Sequence, residues 1–192
     1  AAIALAQLDK LGRHAEIRDF WAMVFNPSSL VRLTHVLVGA CILGAFFVMS
    51  ISAWFLLRRR HEEFARRSFT VACAFGAAFS LLSLVSGDRH AKVVAKHQPA
   101  KLAAMEGHFR TGEGGAEIHV FGWPDEQAQE VRFPIAIPGG LSFLVHGDFR
   151  TPVPGLDAFP RDEWPPVLVP FLSFHVMVGL GSLFLVMTFG GL

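Results

Sequence analysis

The chain has 192 residues, 52% of them hydrophobic and 17% charged, with a mean hydropathy of +0.43 and a formal net charge of +1. That is too apolar and too poor in charge for a soluble domain of this length. The net charge says nothing about nucleic acid, and no basic cluster interleaved with aromatics points to such a partner.

In chain order, residues 1–29 are mixed in character and read as an outer-side segment. Asp19-Phe20-Trp21 predicts the start of a short interfacial helix, with Trp21 at headgroup level. Asn26-Pro27-Ser28-Ser29 is a helix-start signal, since Asn caps and Pro fits the first turn. A first membrane helix is expected over 30–57. Its stretch 33–57 contains no Asp, Glu, Lys or Arg, and at about 1.5 Å per residue it is long enough for a bilayer core of about 30 Å. His35 lies near its start, and an ionisable side chain inside a span is by default a candidate for function. Residues 58–67 carry Arg58, Arg59, Arg60, Arg66 and Arg67, a positive-inside signal that makes this connection cytoplasmic. The second span, 68–87, then runs outward. Residues 88–164 form an outer loop, and the third span, 165–192, returns inward with only His175 interrupting its apolar run. Cys41 and Cys73 lie inside spans and read as free structural thiols. No initiator Met and no signal-peptide pattern is present, and both ends lie in apolar sequence, so the chain is expected to be an internal piece of a longer polytopic protein. The expected fold class is an all-α membrane protein: three transmembrane helices of a larger helical bundle plus an extramembrane loop domain.

The outer loop holds eight Lys and Arg against eleven Asp and Glu. Gly and Pro breakers punctuate it, yet apolar residues recur at Val120-Phe121, from Phe133 to Ile137 and from Leu141 to Val145. An ordered cap is therefore expected rather than a tether. Gln98-Pro99-Ala100-Lys101-Leu102-Ala103-Ala104-Met105-Glu106 reads as a short helix opened by Pro99. Lys101 and Glu106 lie about 140° apart around it, a poor ion-pair spacing. They are either a solvated charged face or the flanks of a ligand, with a carboxylate to take a proton and an ammonium to fix an oxygen. His90, His97, His108, His119 and His146 show no pair spacing suited to zinc.

His35 lies about 12 Å below the outer end of its helix and Met177 about 16 Å below that of the third span. The two are at similar depth, and an imidazole with a thioether is an axial pair for a six-coordinate haem iron. The absence of Cys-x-x-Cys-His makes attachment non-covalent. On spacing alone the ordinary reading is favoured, in which the His hydrogen-bonds a neighbouring carbonyl and the Met packs. His175 competes with Met177 as the second ligand. The two are about 200° apart around the helix, so only one can face an iron shared with His35.

Several stretches resemble subunit I of the cytochrome bd quinol oxidases. They are Asp19-Phe20-Trp21 through Asn26-Pro27-Ser28, Val31-Arg32-Leu33-Thr34-His35, Gly44-Ala45-Phe46-Phe47-Val48, Ile51-Ser52-Ala53-Trp54, Lys101-Leu102-Ala103-Ala104-Met105-Glu106 and Phe174-His175-Val176-Met177-Val178. They are collinear and span nearly the whole chain, and they correspond to the family's middle section with a short quinol-binding (Q) loop, the type found in the cyanide-insensitive branch. The resemblance implies that His35 and Met177 are the axial ligands of the low-spin haem b, and that Lys101 and Glu106 serve quinol oxidation. It places His175 where many members have Arg, a position linked to haem electrostatics. It further implies a high-spin haem b, and haem d or a second b-type haem, ligated outside these residues. Ubiquinol or menaquinol is the implied substrate. The implied partners are subunit II, the remaining helices of subunit I and membrane lipid. The implied location is the bacterial inner membrane, with the loop on the periplasmic side.

The function expected on these grounds is part of a quinol:oxygen oxidoreductase. It would oxidise quinol at the outer face and pass electrons through the low-spin haem b toward reduction of oxygen to water. Two alternatives stand beside it: a quinol-linked membrane cytochrome b that does not reduce oxygen, and a non-redox membrane scaffold.

Overall fold

Three long helices carry the architecture, and a computed structural model describes them within residues 20–192. Of the expected outer-side segment, residues 1–19, Asp19 included, lie outside the described residues. Phe20–Val24 forms a one-turn helix, α1, in which Trp21 stacks on Phe25. The chain then enters α2, Pro27–Leu57, through the expected cap: Asn26 Oδ1 accepts the Ser29 N–H at 3.0 Å, with Pro at the first helical position. Helix α3, Glu62–His97, follows after the arginine-rich turn, and α6, Leu168–Gly190, ends the described chain. All three are long and apolar enough to cross a membrane.

α3 is the middle helix. Its buried positions are mostly small: Ala65, Ala72, Cys73, Gly76, Ala77, Ser80 and Ser86. Small side chains let helix backbones approach closely where no water-driven force is available. A β-carbon on Gly76 would stand 2.9 Å from Thr188 Cγ2 and 3.2 Å from Ala45 Cβ, so the three long helices meet there. α2 and α6 also touch directly through Phe46 and Phe184, whose ring centroids are 4.8 Å apart.

α3 does not stop at Gly87, where the apolar signal ends. It continues through Asp88, His90 and Lys92 to His97, so the first ten residues of the expected loop belong to the same rod. At 36 residues it is about 54 Å long. The loop that follows is ordered. α4, Pro99–Glu106, forms where expected. β1, Ile118–Asp125, and β2, Glu130–Ile137, pair antiparallel, with Ile118 opposite Ile137 and Asp125 opposite Glu130. This small sheet is an addition to the all-α expectation. Asp125 Oδ1 accepts the N–H groups of Gln127 and Ala128 at its tip, and α5, Gly140–His146, follows.

Two apolar clusters hold the loop to the helices. Val94 of α3, Leu102 of α4, Leu141 of α5, Ala116 and Val153 form one. Ala103, Ala104, Phe109, Leu156 and Val167 form the other. α4 is thereby wedged between the extension of α3 and the start of α6.

Candidate functional site

α4 presents its two charged residues to different surroundings. Lys101 is exposed, while Glu106 is 0% exposed and neither of its carboxylate oxygens has a hydrogen-bond partner among the described residues. The helix geometry causes this: the face carrying Leu102, Ala103, Ala104 and Glu106 turns into the two clusters. Burial without a partner penalises the charged form, and the Glu106 carboxyl is pushed up from 4.5 to about 8. Gly107 ends the helix at φ +63°, and a β-carbon there would lie 2.8 Å from Val131 Cγ2 and 3.0 Å from Phe171 Cε2. Both the left-handed backbone and the contact with α6 require glycine. Glu106 is thus fixed where α4 abuts α6. Lys101 and Glu106 form no ion pair.

His35 faces α3. Its Nδ1 is 2.8 Å from Ser86 Oγ, its ring lies over Gly87, and the His90 ring centroid is 6.0 Å away. Its Nε2 has no hydrogen bond among the described residues. Met177 is 50% exposed, and its thioether is equally uncommitted. The three helices are level where Ala45, Gly76 and Thr188 meet. Ten or eleven residues outward from that level lie His35 on α2, Ser86 on α3 and Met177 on α6, each about 15 Å higher. A free imidazole nitrogen and a free thioether at one height are a donor set that fits a six-coordinate haem iron.

His175 is differently placed. Its Nδ1 lies 2.8 Å from Phe171 O and its Nε2 2.8 Å from His119 O, so whichever nitrogen carries hydrogen donates to a carbonyl. Its ring stacks on Phe171 at a centroid distance of 3.9 Å. Both nitrogens are therefore turned toward backbone carbonyls. The contact ties β1 to α6, and β1 reaches α4 in turn because His119 Nδ1 donates to Glu106 O at 2.8 Å. At the hairpin tip, Glu126 Oε1 accepts the N–H groups of Val167 and Leu168, at 2.9 and 3.3 Å, and so caps α6.

Sequence reading singled out neither Ser86 nor Glu126, and named His119 only among the loop histidines unsuited to zinc. The partners of these residues are 51, 41 and 13 positions away, and no local pattern announces contacts of that kind. The described loop also contains a cleft of about 460 Å³ lined by Gly107, His108, Glu117 and His119. Neither Lys101 nor Glu106 lines it, so it does not join the pair that α4 carries.

Comparison with known proteins bears on the whole chain. Residues 6–192 match the family description "Cytochrome bd terminal oxidase subunit I". A protein of Bacillus subtilis (strain 168), named as a candidate cytochrome bd menaquinol oxidase subunit I, is 41% identical over 169 residues, covering 86% of this chain and 38% of that protein. The cytochrome bd-II ubiquinol oxidase subunit 1 of Escherichia coli (strain K12) is 39% identical over 150 residues, covering 78% and 29%. The solved structure of bd oxidase from Geobacillus thermodenitrificans superposes with a TM-score of 0.80 at 34% identity, covering 88% of this chain and 39% of that one. The chain thus spans well under half the length of the relatives it matches. Collinear motifs, three apolar helices in the same arrangement and a match from residue 6 to residue 192 lead to one assignment: the chain belongs to the cytochrome bd terminal oxidase subunit I family.

Proposed function

We propose that this chain is the part of a membrane quinol oxidase in which quinol is oxidised at the outer face, with Glu106 as proton acceptor and Lys101 holding a quinol oxygen. The observation that carries this reading is the carboxyl of Glu106, wholly buried, without a hydrogen-bond partner among the described residues, and pushed up to about 8. A folded protein does not ordinarily leave both oxygens of a buried carboxyl without partners. A base with its pKa near working pH is suited to taking a hydroxyl proton. Ubiquinol and menaquinol, the substrates named for the relatives, are the substrate class.

His35 and Met177 are the residues that would hold a low-spin haem b, and the free Nε2 of His35 supports that role. When bound, the haem would supply a one-electron acceptor for quinol oxidation. The protein's own part is to keep α4 and α6 in contact through Gly107 and Phe171, so that the acid and the iron ligands share one rigid frame. Glu106 holds the proton at a carboxylate oxygen and releases it outward, while Lys101, at the exposed end of α4, orients the substrate oxygen. A high-spin haem b and an oxygen-reactive haem, subunit II and the remaining helices of subunit I complete the enzyme in this reading. It works in the bacterial inner membrane with residues 88–164 on the periplasmic side.

Glu106→Gln in the full-length complex tests this. Quinol oxidation is expected to fall by about 10²–10⁴-fold, the usual weight of general base catalysis, with an unchanged haem spectrum and normal reduction by artificial donors. Near-normal quinol turnover with intact haem would refute it.

A further inference from the structure

We infer that Ser86 is the positioning residue that sets the tautomer and orientation of His35, and through them the redox character of the iron that His35 would bind. The inference rests on the reading of His35 as a haem ligand. Its starting point is the direction of two hydrogen bonds. Ser86 is 6% exposed, and its Oγ is 3.1 Å from Ser83 O, one turn back on α3. A carbonyl can only accept, so the bond between these two is made when the hydroxyl hydrogen of Ser86 is directed at Ser83. What Ser86 Oγ then offers His35 Nδ1, 2.8 Å away, is a lone pair. The arrangement that makes both bonds has His35 Nδ1 carrying the proton and donating it, which leaves the lone pair on Nε2. That is the nitrogen without a partner, and the one free to bind iron.

The packing completes the cradle. The His35 ring lies against the Gly87 backbone, where an added β-carbon would stand 3.6 Å from Cε1. The ring is thus flanked by Gly87 at Cε1 and by Ser86 at Nδ1, two consecutive residues of the helix that packs along α2. A ligating histidine whose other N–H donates a hydrogen bond is a stronger donor to its metal and is fixed in rotation. A stronger donor favours the oxidised metal and lowers its reduction potential. Ser86 is neutral, so the effect is that of a single hydrogen bond. Neither Lys101 nor Glu106 takes part.

Redox titration of purified full-length complexes tests the inference by the midpoint potential of the low-spin haem and its electron paramagnetic resonance g values. Ser86→Ala, a small helix-favouring change, is expected to keep a six-coordinate haem while raising its potential and broadening or shifting its low-spin g values. Ser86→Thr keeps the hydroxyl and should restore both. His35→Ala is the control and should remove the low-spin signal. An unchanged potential and g values in Ser86→Ala, with the signal lost in His35→Ala, would overturn the role of Ser86 and leave the ligand assignment standing. Survival of the low-spin signal in His35→Ala would overturn the ligand assignment and this inference with it.

Discussion

Glu106 and Lys101 share one short helix, yet one meets protein on every side and the other meets solvent. The consequence for pH follows from burial. Because the Glu106 carboxyl keeps its proton up to about 8, the fraction able to accept a proton grows as pH rises toward that value. Wild-type quinol oxidation should climb over that range, and the Glu106→Gln variant should lose that limb of the profile. Stability runs the other way. The raised value means that the neutral acid favours the folded loop at low pH, and this contribution is lost as pH rises from the ordinary glutamate value through about 8. In the proposed haem site, the two carbonyl contacts of His175 leave Met177 as the free donor on α6. Met177→Leu should abolish or convert the low-spin signal, and His175→Ala should leave the haem six-coordinate. Five-coordinate haem in His175→Ala alone would reverse the assignment.

Among the elements, the segments 108–111 and 153–157 stitch the loop closed around one acid. Asp157 accepts the Thr111 N–H at 2.9 and 3.0 Å and the Thr111 hydroxyl at 2.7 Å. Slight burial works to raise its pKa, but the Thr111 bonds, the charge of His108 and the Ala158 N–H outweigh it and hold the carboxyl below the usual value. That stability is present above the ordinary aspartate range and is lost as pH falls through the depressed value. Asp157→Ala should speed amide hydrogen exchange at Thr111 roughly tenfold, the scale of one lost charge-assisted hydrogen bond, without altering the haem spectrum. The spans, the Asn26 cap and α4 could be read in the sequence because each has a local cause: an unbroken apolar run, a capping side chain, a Pro at a first turn. The hairpin could not. Register shifts at His119/Phe121 and Phe121/Trp123 break its alternation, β2 is mostly exposed, and Phe133 takes a left-handed φ of 51°. The end of α3 was missed for the opposite reason. Hydropathy falls after Gly87, but Ala91, Lys92, Ala95 and Lys96 are good helix formers and carry the helix on. Sequence reading found His35, Met177, Lys101 and Glu106 as site candidates, whereas the contact of Ser86 with His35 exists only in three dimensions.

For the whole molecule, the family assignment and the three apolar helices give a multi-pass membrane protein, and the orientation proposed for it rests on the arginines at 58–60 and 66–67. Gly114 is exposed and a side chain there meets nothing within 4 Å. Gly114→Cys should react with an impermeant thiol reagent added to intact cells. Labelling only after the membrane is broken would invert the topology. The continuity of α3 has one more consequence, in the kinds of change the chain can accept. Between Ser86 and Gln98 there is one uninterrupted helix, so a single inserted residue would turn α4 and everything beyond it by about 100° and displace it by about 1.5 Å relative to His35. No bend exists there to absorb the error. At the hairpin tip, residues 126–129, the same insertion would lengthen a surface turn. Length variation among relatives should therefore be rare in the first stretch and concentrated in loop segments away from it, making the rod between His35 and Glu106, the proposed iron ligand and the proposed quinol acid, a ruler whose length is under selection.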